Sequence, residues 1–360
     1  MADSGKDSSG TIKRASRLMT QWDMAALVAA LTKKYTVYGP VTREGNTSFQ
    51  EISSWEDLDL DYVTTILSPR KYLHKPFETL FSFTEGGKTV TEGTRDSSEK
   101  MQIIFGLHPC DVNAIRLLDK VFTGKYEDPY YTGHRKNTLI VGLGCDQAQD
   151  TCFCTSFGSG PHLQEGFDLL ITQLGDRYLV EPGTPDGEDL LKRLDIGRTM
   201  NSSTLTEYSR LKEAKLEKIA NTIKKKINTT DLNKLLEVNT DHPIWTRLKE
   251  DCLACGACTI SCPTCFCFNI TDHLDLTLQN GERRRVWDSC MLLEFAEVAL
   301  GANFRNDLAA RIKQRIYHKL YSFHFQHDDW GCVGCGRCVK FCIKKIDPRE
   351  IIEELRGEAN

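Results

Sequence analysis

The stretch Cys252-Leu253-Ala254-Cys255-Gly256-Ala257-Cys258-Thr259-Ile260-Ser261-Cys262-Pro263 decides how this chain is read. The same cysteine spacing returns as Cys332-Val333-Gly334-Cys335-Gly336-Arg337-Cys338-Val339-Lys340-Phe341-Cys342. Both are the bacterial-type ferredoxin run C-x2-C-x2-C-x3-C. Three thiolates on one tight loop can cap three corners of a cubane. The fourth leaves on a departing segment and ligates the other cluster. The spacing therefore predicts two [4Fe–4S] clusters with crossed ligation. One takes Cys252, Cys255, Cys258 and Cys342; the other takes Cys332, Cys335, Cys338 and Cys262. Ile343 stands where the first copy has Pro263, which removes no ligand. Zinc sites pair C-x2-C units across a longer loop, so zinc fits this octet poorly.

Composition agrees. The chain has 360 residues, enough for two or three domains, and is 40% hydrophobic, which excludes wholesale disorder. A formal charge of -4 shows neither the basic excess of a nucleic-acid binder nor an acidic tail. No run approaches the ~18 apolar residues of a membrane span. Met1 to Gly10 lacks the apolar core of a signal peptide. The expected compartment is the cytoplasm, with no nucleic acid and no direct membrane insertion. The 15 cysteines cannot all pair within one chain, and a reducing compartment disfavours disulfides, so they point to metal.

Outside the octet the pattern changes. Residues 1–20 read as a flexible polar lead. Residues 21–239 mix short strands with helices. Met101–Leu107 and Asn137–Gly144 read as strands ending beside Cys110 and Cys145, with a helix from Asp111 to Phe122 between them. Phe167–Leu174 and Tyr178–Val180 read as two more strands. Strand, helix, strand is an α/β unit, and ligands commonly sit at such strand ends. A helix is expected over Tyr208–Ile227, with Lys224-Lys225-Lys226 as its solvated last turn. The domain boundary is placed near Asn239, followed by a helix starting near Pro243. Residues 240–360 then read as an α-helical ferredoxin domain, its spacer filled by helices over Asp288–Leu300 and from Asn306 or Asp307. Arg283-Arg284-Arg285 reads as a solvated turn. The overall expectation is α+β: an α/β domain followed by an α-helical dicluster ferredoxin domain.

Four cysteines precede the octet: Cys110, Cys145, Cys152 and Cys154. Four is the ligand number of a third [4Fe–4S] cluster, and a helix N-terminus would favour the Cys110 thiolate. The spacing is unlike the ferredoxin run. Zinc also suits four thiolates, and metal-free thiols are a further alternative. Cys265, Cys267 and Cys290 are expected to pack as small hydrophobes, Cys290 on an apolar helix. His324 and His327 are expected to pack or face solvent. No GxGxxG, Walker A loop or Ser-His-Asp set is present, so no catalytic residue is assigned.

His108-Pro109-Cys110-Asp111 with Ala114-Ile115-Arg116-Leu117-Leu118-Asp119 resembles a block of the family that holds the iron–sulfur chain of anaerobic sulfite reductase and the iron–sulfur beta subunits of cytoplasmic sulfhydrogenases. The similarity continues at Asp128-Pro129-Tyr130-Tyr131, Gly144-Cys145-Asp146, Cys152-Phe153-Cys154-Thr155-Ser156-Phe157-Gly158, Cys262-Pro263-Thr264-Cys265-Phe266-Cys267-Phe268 and Val286-Trp287-Asp288-Ser289-Cys290, and covers roughly residues 60 to 345. The resemblance implies an electron-wiring subunit. It implies partners too: a subunit binding FAD and NAD(P)H, and a catalytic sulfite reductase, hydrogenase or heterodisulfide-reductase-like subunit. The competing expectation is a self-contained oxidoreductase with a substrate pocket in the N-terminal domain.

Overall fold

The computed structural model describes residues 15–84, the backbone of 90–92, and residues 101–357. The polar lead falls largely on residues 1–14, outside the described residues. Its end is structured: Arg17–Met19 is strand β1, with Met19 fully buried.

The fold is α+β. After helix α1 (Gln21–Lys34) come β2 (Thr36–Arg43), β3 (Asn46–Glu51), β4 (Phe77–Thr84), β5 (Val90–Glu92) and β6 (Gln102–Leu107). Helices α2 (Pro109–Phe122) and α3 (Pro129–Lys136) lead to β7 (Thr138–Leu143), β8 (Leu169–Leu174) and β9 (Arg177–Pro182). Helix α4 (Pro185–Leu194), β10 (Arg198–Thr199) and α5 (Ser202–Thr222) complete this part. Eight strands form one sheet in the order β10-β1-β9-β8-β7-β6-β2-β3. Its centre, β2-β6-β7-β8, is parallel. Every residue of β7 is buried, as expected of a parallel strand covered on both faces. The expected unit of strand, helix, strand is thus β6-α2-β7, and its strand ends deliver Cys110 and Cys145 to one edge of the sheet.

Helix α5 starts earlier than its apolar periodicity predicted, because Asn201 caps it by accepting the N–H of Thr204. It also stops earlier. Ile223 and Ile227 are buried from the extended chain beyond it, and Lys225 pairs with Glu350 and Glu353 rather than ending a helix. Helices α6 (Leu232–Val238) and α7 (Ile244–Asp251) then enter the cysteine-rich part. The first cysteine loop carries the short helix α8 (Ala257–Ile260).

The spacer between the two cysteine loops departs from the all-helical expectation. Strands β11 (Phe268–Leu274) and β12 (Asn280–Trp287) form a hairpin. Strand β12 also pairs with β4, giving the sheet β11-β12-β4-β5. Arg283-Arg284-Arg285 is therefore strand and not a solvated turn. Alternation puts Arg285 inside, 2% exposed, between Glu78 and Asp128, with 2.5 Å from its Nη2 to Glu78 Oε2.

No helix forms over Asp288–Leu300. The segment makes 3-10 turns at Glu294–Ala296 and Ala299–Gly301, with Leu300 in the left-handed region. Its apolar residues do not form one buried stripe: Met291 and Ala296 point inward, while Leu292, Leu293, Val298 and Leu300 are exposed. The second spacer helix is present as α9 (Leu308–Tyr317), preceded by Asp307. It runs through a π turn at His318–Ser322 into α10 (Phe323–His327). The second cysteine loop carries α11 (Arg337–Lys340), and α12 (Pro348–Leu355) follows.

Contacts cross the expected boundary near Asn239. Strand β4 joins the C-terminal hairpin. Phe153, Ile227, Leu232 and Leu236 share one core with Trp245, Met291, Ile312, Ile316, Leu320 and Ile352. No helix among the described residues is long and apolar enough to cross a membrane.

Candidate metal centres

Each cysteine loop is shaped by two residues in the left-handed region. These are Ala254 (φ 52°) and Gly256 (φ 71°) in the first loop, Gly334 (φ 59°) and Gly336 (φ 74°) in the second. The turns aim backbone N–H groups at sulfur: Ala254 N–H donates to Cys252 Sγ and Gly334 N–H to Cys332 Sγ, both at 3.4 Å. Such donors stabilise a thiolate and tune what it binds.

The structure brings the octet together in two cavities. Cys252, Cys255, Cys258 and Cys342 line one, with Met291, Ile312 and Arg315. Cys262, Cys332, Cys335 and Cys338 line the other, with Phe153, Arg315 and Lys319. Three thiols of one loop and the fourth of the other meet in each cavity. Burial raises Cys252, Cys335 and Cys338, with Cys258 pushed to about 11 and Cys332 to about 12, whereas the hydrogen bond from Cys265 holds Cys262 below the usual thiol range. Metal ligation replaces such protons.

Two cations face these thiols without a carboxylate. Lys319 is 6% exposed and donates from Nζ to the carbonyl and hydroxyl of Thr264, each at 2.8 Å. Arg315 reaches the Cys258 carbonyl, at 3.5 Å, and the Cys338 thiol, and its Nε has no partner. Burial opposes both charges, but the surrounding thiolates prevail and raise both pKa values. Among the described residues neither cation has an ion-pair partner. Unpaired buried charge is costly, so these cations fit an anionic occupant in each cavity.

The third group of thiols lies against the second loop. Cys110 is in the first turn of α2, Cys145 follows β7 by two residues, and Cys152 and Cys154 bracket Phe153. Burial raises the thiols of all four, Cys154 to about 12, and the charges of Cys154 and Cys152 add to the effect at Cys145. Cys110 and Cys335 pack on one small core with Leu117, Phe323 and Val333. Phe153 N–H donates to the Gly334 carbonyl at 2.8 Å, and Gln149 to the Cys335 carbonyl at 3.2 Å. Asp111, next to Cys110, holds Arg337 of the second loop through two 2.8 Å hydrogen bonds, both side chains 1% exposed.

Residues 251–346 match the family of 4Fe-4S dicluster domains. Over 322 residues the chain is 34% identical to the sulfhydrogenase 2 subunit beta of Pyrococcus furiosus, covering 89% of this chain and 92% of that protein. The chain belongs to the sulfhydrogenase beta-subunit family. No solved structure matches it significantly. As a member of this family with a 4Fe-4S dicluster domain, it is an iron–sulfur electron-transfer protein.

The beta-subunit fold also places groups that spacing did not reveal. Arg315 and Lys319 are one turn apart on the segment that buries Ile312, Ile316 and Leu320, and in sequence they look like its solvated charges. Arg70, 3% exposed, stacks on Trp287 at 3.7 Å and donates to the Cys265 carbonyl. Cys265 is buried beside Cys262. Cys290 lies in the loop after β12, not on a helix, with its thiol against Cys267. His324 stacks on Trp330 at 4.6 Å, and His327 packs tilted against Phe323 at 4.4 Å.

Proposed function

We propose that this chain relays single electrons between a subunit that binds FAD and NAD(P)H and a catalytic reductase or hydrogenase subunit in the cytoplasm. Cys252, Cys255, Cys258 and Cys342 hold one [4Fe–4S] cluster; Cys332, Cys335, Cys338 and Cys262 hold the second. The observation that carries this reading is the crossed lining of the two cavities. Bound there, each cluster supplies storage for one electron. The chain's own residues do the rest. Buried apolar walls from Met291, Ile312 and Phe153 keep water off the thiols, and Arg315 and Lys319 offset negative charge. Cys110, Cys145, Cys152 and Cys154 hold a third [4Fe–4S] cluster in this reading, extending the wire toward the N-terminal sheet. Its support is four partly or fully buried thiols beside the second loop, with Cys110 on one core with Cys335 and Phe153, between Cys152 and Cys154, bonded to Gly334.

Iron and sulfide analysis of anaerobically loaded protein is expected to approach about twelve of each per chain, four per cubane. A plateau at about eight removes the third cluster, and a colourless zinc protein removes the whole proposal. Cys262→Ala is expected to damage chiefly the cluster of the Cys332 loop, and Cys342→Ala that of the Cys252 loop. Loss confined to the mutated motif's own loop defeats the crossed assignment.

One observation favours a second reading, an oxidoreductase in its own right. A cavity of about 540 Å3 opens beside the ends of β6 and β7, lined by Pro109, Gly144, His162, Thr172, Glu181 and Lys212. That size suits a small ligand. Its charged groups are already paired, Lys212 with Glu181 at 2.8 Å and His162 with Glu213 at 3.2 Å. Turnover of sulfite, hydrogen or NAD(P)H by the isolated chain would establish it.

A further inference from the structure

We propose that Arg315 and Lys319 tune the two dicluster centres unequally: Arg315 raises the reduction potential of both, and Lys319 that of the centre held by Cys262 and the Cys332 loop. The proposal rests on the cluster reading above and adds to it which residues set the potentials.

Placement carries the asymmetry. Arg315 lines both cavities, whereas Lys319 lines only the second. From its place on α9, Arg315 sits between the loops, its Nη2 toward the Cys258 carbonyl. Lys319 falls in the π turn that follows, where widened helical turns often mark functional sites. The turn is tied to the second loop, since the Lys319 carbonyl accepts the N–H of Gly331 at 2.9 Å. The ammonium is anchored on Thr264, two residues beyond Cys262.

Charge bookkeeping carries the function. Arg337, Arg349 and Arg285 are buried guanidiniums, and each meets a carboxylate. Arg315 and Lys319 meet none among the described residues. Guanidinium stays charged at any working pH. A centre that accepts an electron gains a negative charge, and a neighbouring buried cation favours that state. Solvent screens this effect at the surface and not in the interior. The first cavity reaches the surface, with Cys255 exposed, while Cys332, Cys335 and Cys338 are all at least partly buried. Lys319 therefore acts where screening is weaker.

EPR-monitored titration with dithionite of the anaerobic full-length holoprotein tests this. Cys255→Ser marks the signal belonging to the Cys252 loop. Lys319→Gln is expected to shift downward the potential of the Cys332-loop signal, identified by its loss in Cys335→Ser, and to leave the Cys252-loop signal in place. Arg315→Gln is expected to lower both. Arg315→Lys and Lys319→Arg, which keep the charge, are expected to recover most of each shift. Lys319→Met and Arg315→Met preserve side-chain bulk and replace the glutamine variants if those lose iron. Unmoved potentials, upward shifts, or equal shifts of both signals in Lys319→Gln would overturn the proposal. Iron and sulfide measured on the same samples separate the two claims. Wild-type protein short of two cubanes defeats the cluster reading, whereas full content with unmoved potentials defeats only the tuning.

Discussion

The two cysteine loops share spacing and backbone but have opposite surroundings. In the first, Leu253 is 55% exposed and Cys255 faces solvent. In the second, the equivalent Val333 is 3% exposed, and the loop is wedged against the segment Thr151–Cys154 of the N-terminal part. Position 257 is alanine, whereas its counterpart, Arg337, is locked to Asp111. The contrast teaches that local spacing brings the cysteines together, while tertiary packing decides whether each loop lies at the surface or inside the fold.

The largest expected effect tests the lock. Asp111→Asn leaves the Arg337 charge buried without its counter-ion, and should cost about 3–5 kcal/mol in anaerobic denaturant unfolding. The first loop has no such lock to break. A smaller value would mean the second loop is wetter than its burial indicates.

Next come the glycines. An alanine Cβ at Gly336 would lie 2.2 Å from the Thr151 carbonyl oxygen, and at Gly334 2.4 Å from that of Phe153. Gly336→Ala should cost about 3 kcal/mol or more through overpacking and release iron from the second loop. Gly256→Ala meets no backbone, only the side chains of Ser289, with Oγ at 3.2 Å and Cβ at 3.5 Å, and Leu292 at 3.9 Å, so its cost should be chiefly that of the left-handed backbone, about 1–2 kcal/mol. Equal losses would erase the distinction between the loops.

Val333→Ser should cost about 1–2 kcal/mol from lost apolar burial, and Leu253→Ser should stay within about 0.5 kcal/mol. Denaturant midpoints of the two variants side by side provide the measurement. The smallest effect is at the rim. Lys120 pairs with Asp329 at 2.7 Å, both about 40% exposed. Lys120→Ala should change stability by no more than about 0.5 kcal/mol, and less at high salt.

The gathering of the eight cysteines in two cavities was legible because loop spacing is local. The unit β6-α2-β7 was legible because Val112, Ile115 and Leu118 mark one helical face between two apolar strands. The hairpin β11-β12 was not, because its partner β4 lies about 200 residues earlier and nothing local announces such pairing. The helix expected over Asp288–Leu300 failed because its apolar residues signalled burial, whereas Leu292, Leu293 and Leu300 remain on the surface. Arg315 and Lys319 were invisible because a charge at helical spacing reads as solvated until its surroundings are known.

If the ligands cross between loops as proposed, the crossing also orders events on the ribosome. The Cys252 loop emerges with three of its thiols and no fourth until residue 342 is made, and the waiting Cys262 gains its companions only once the Cys332 loop appears. Strand β4 waits more than twice as long, about 200 residues, for β12. Nascent chain therefore exposes thiols and an unpaired strand edge together, a state prone to oxidation and aggregation. Neither dicluster site can be completed piecemeal. Under that ligation, metal loading would accompany late closure of the C-terminal fold, and a chaperone that shields the first loop during synthesis would gain the most.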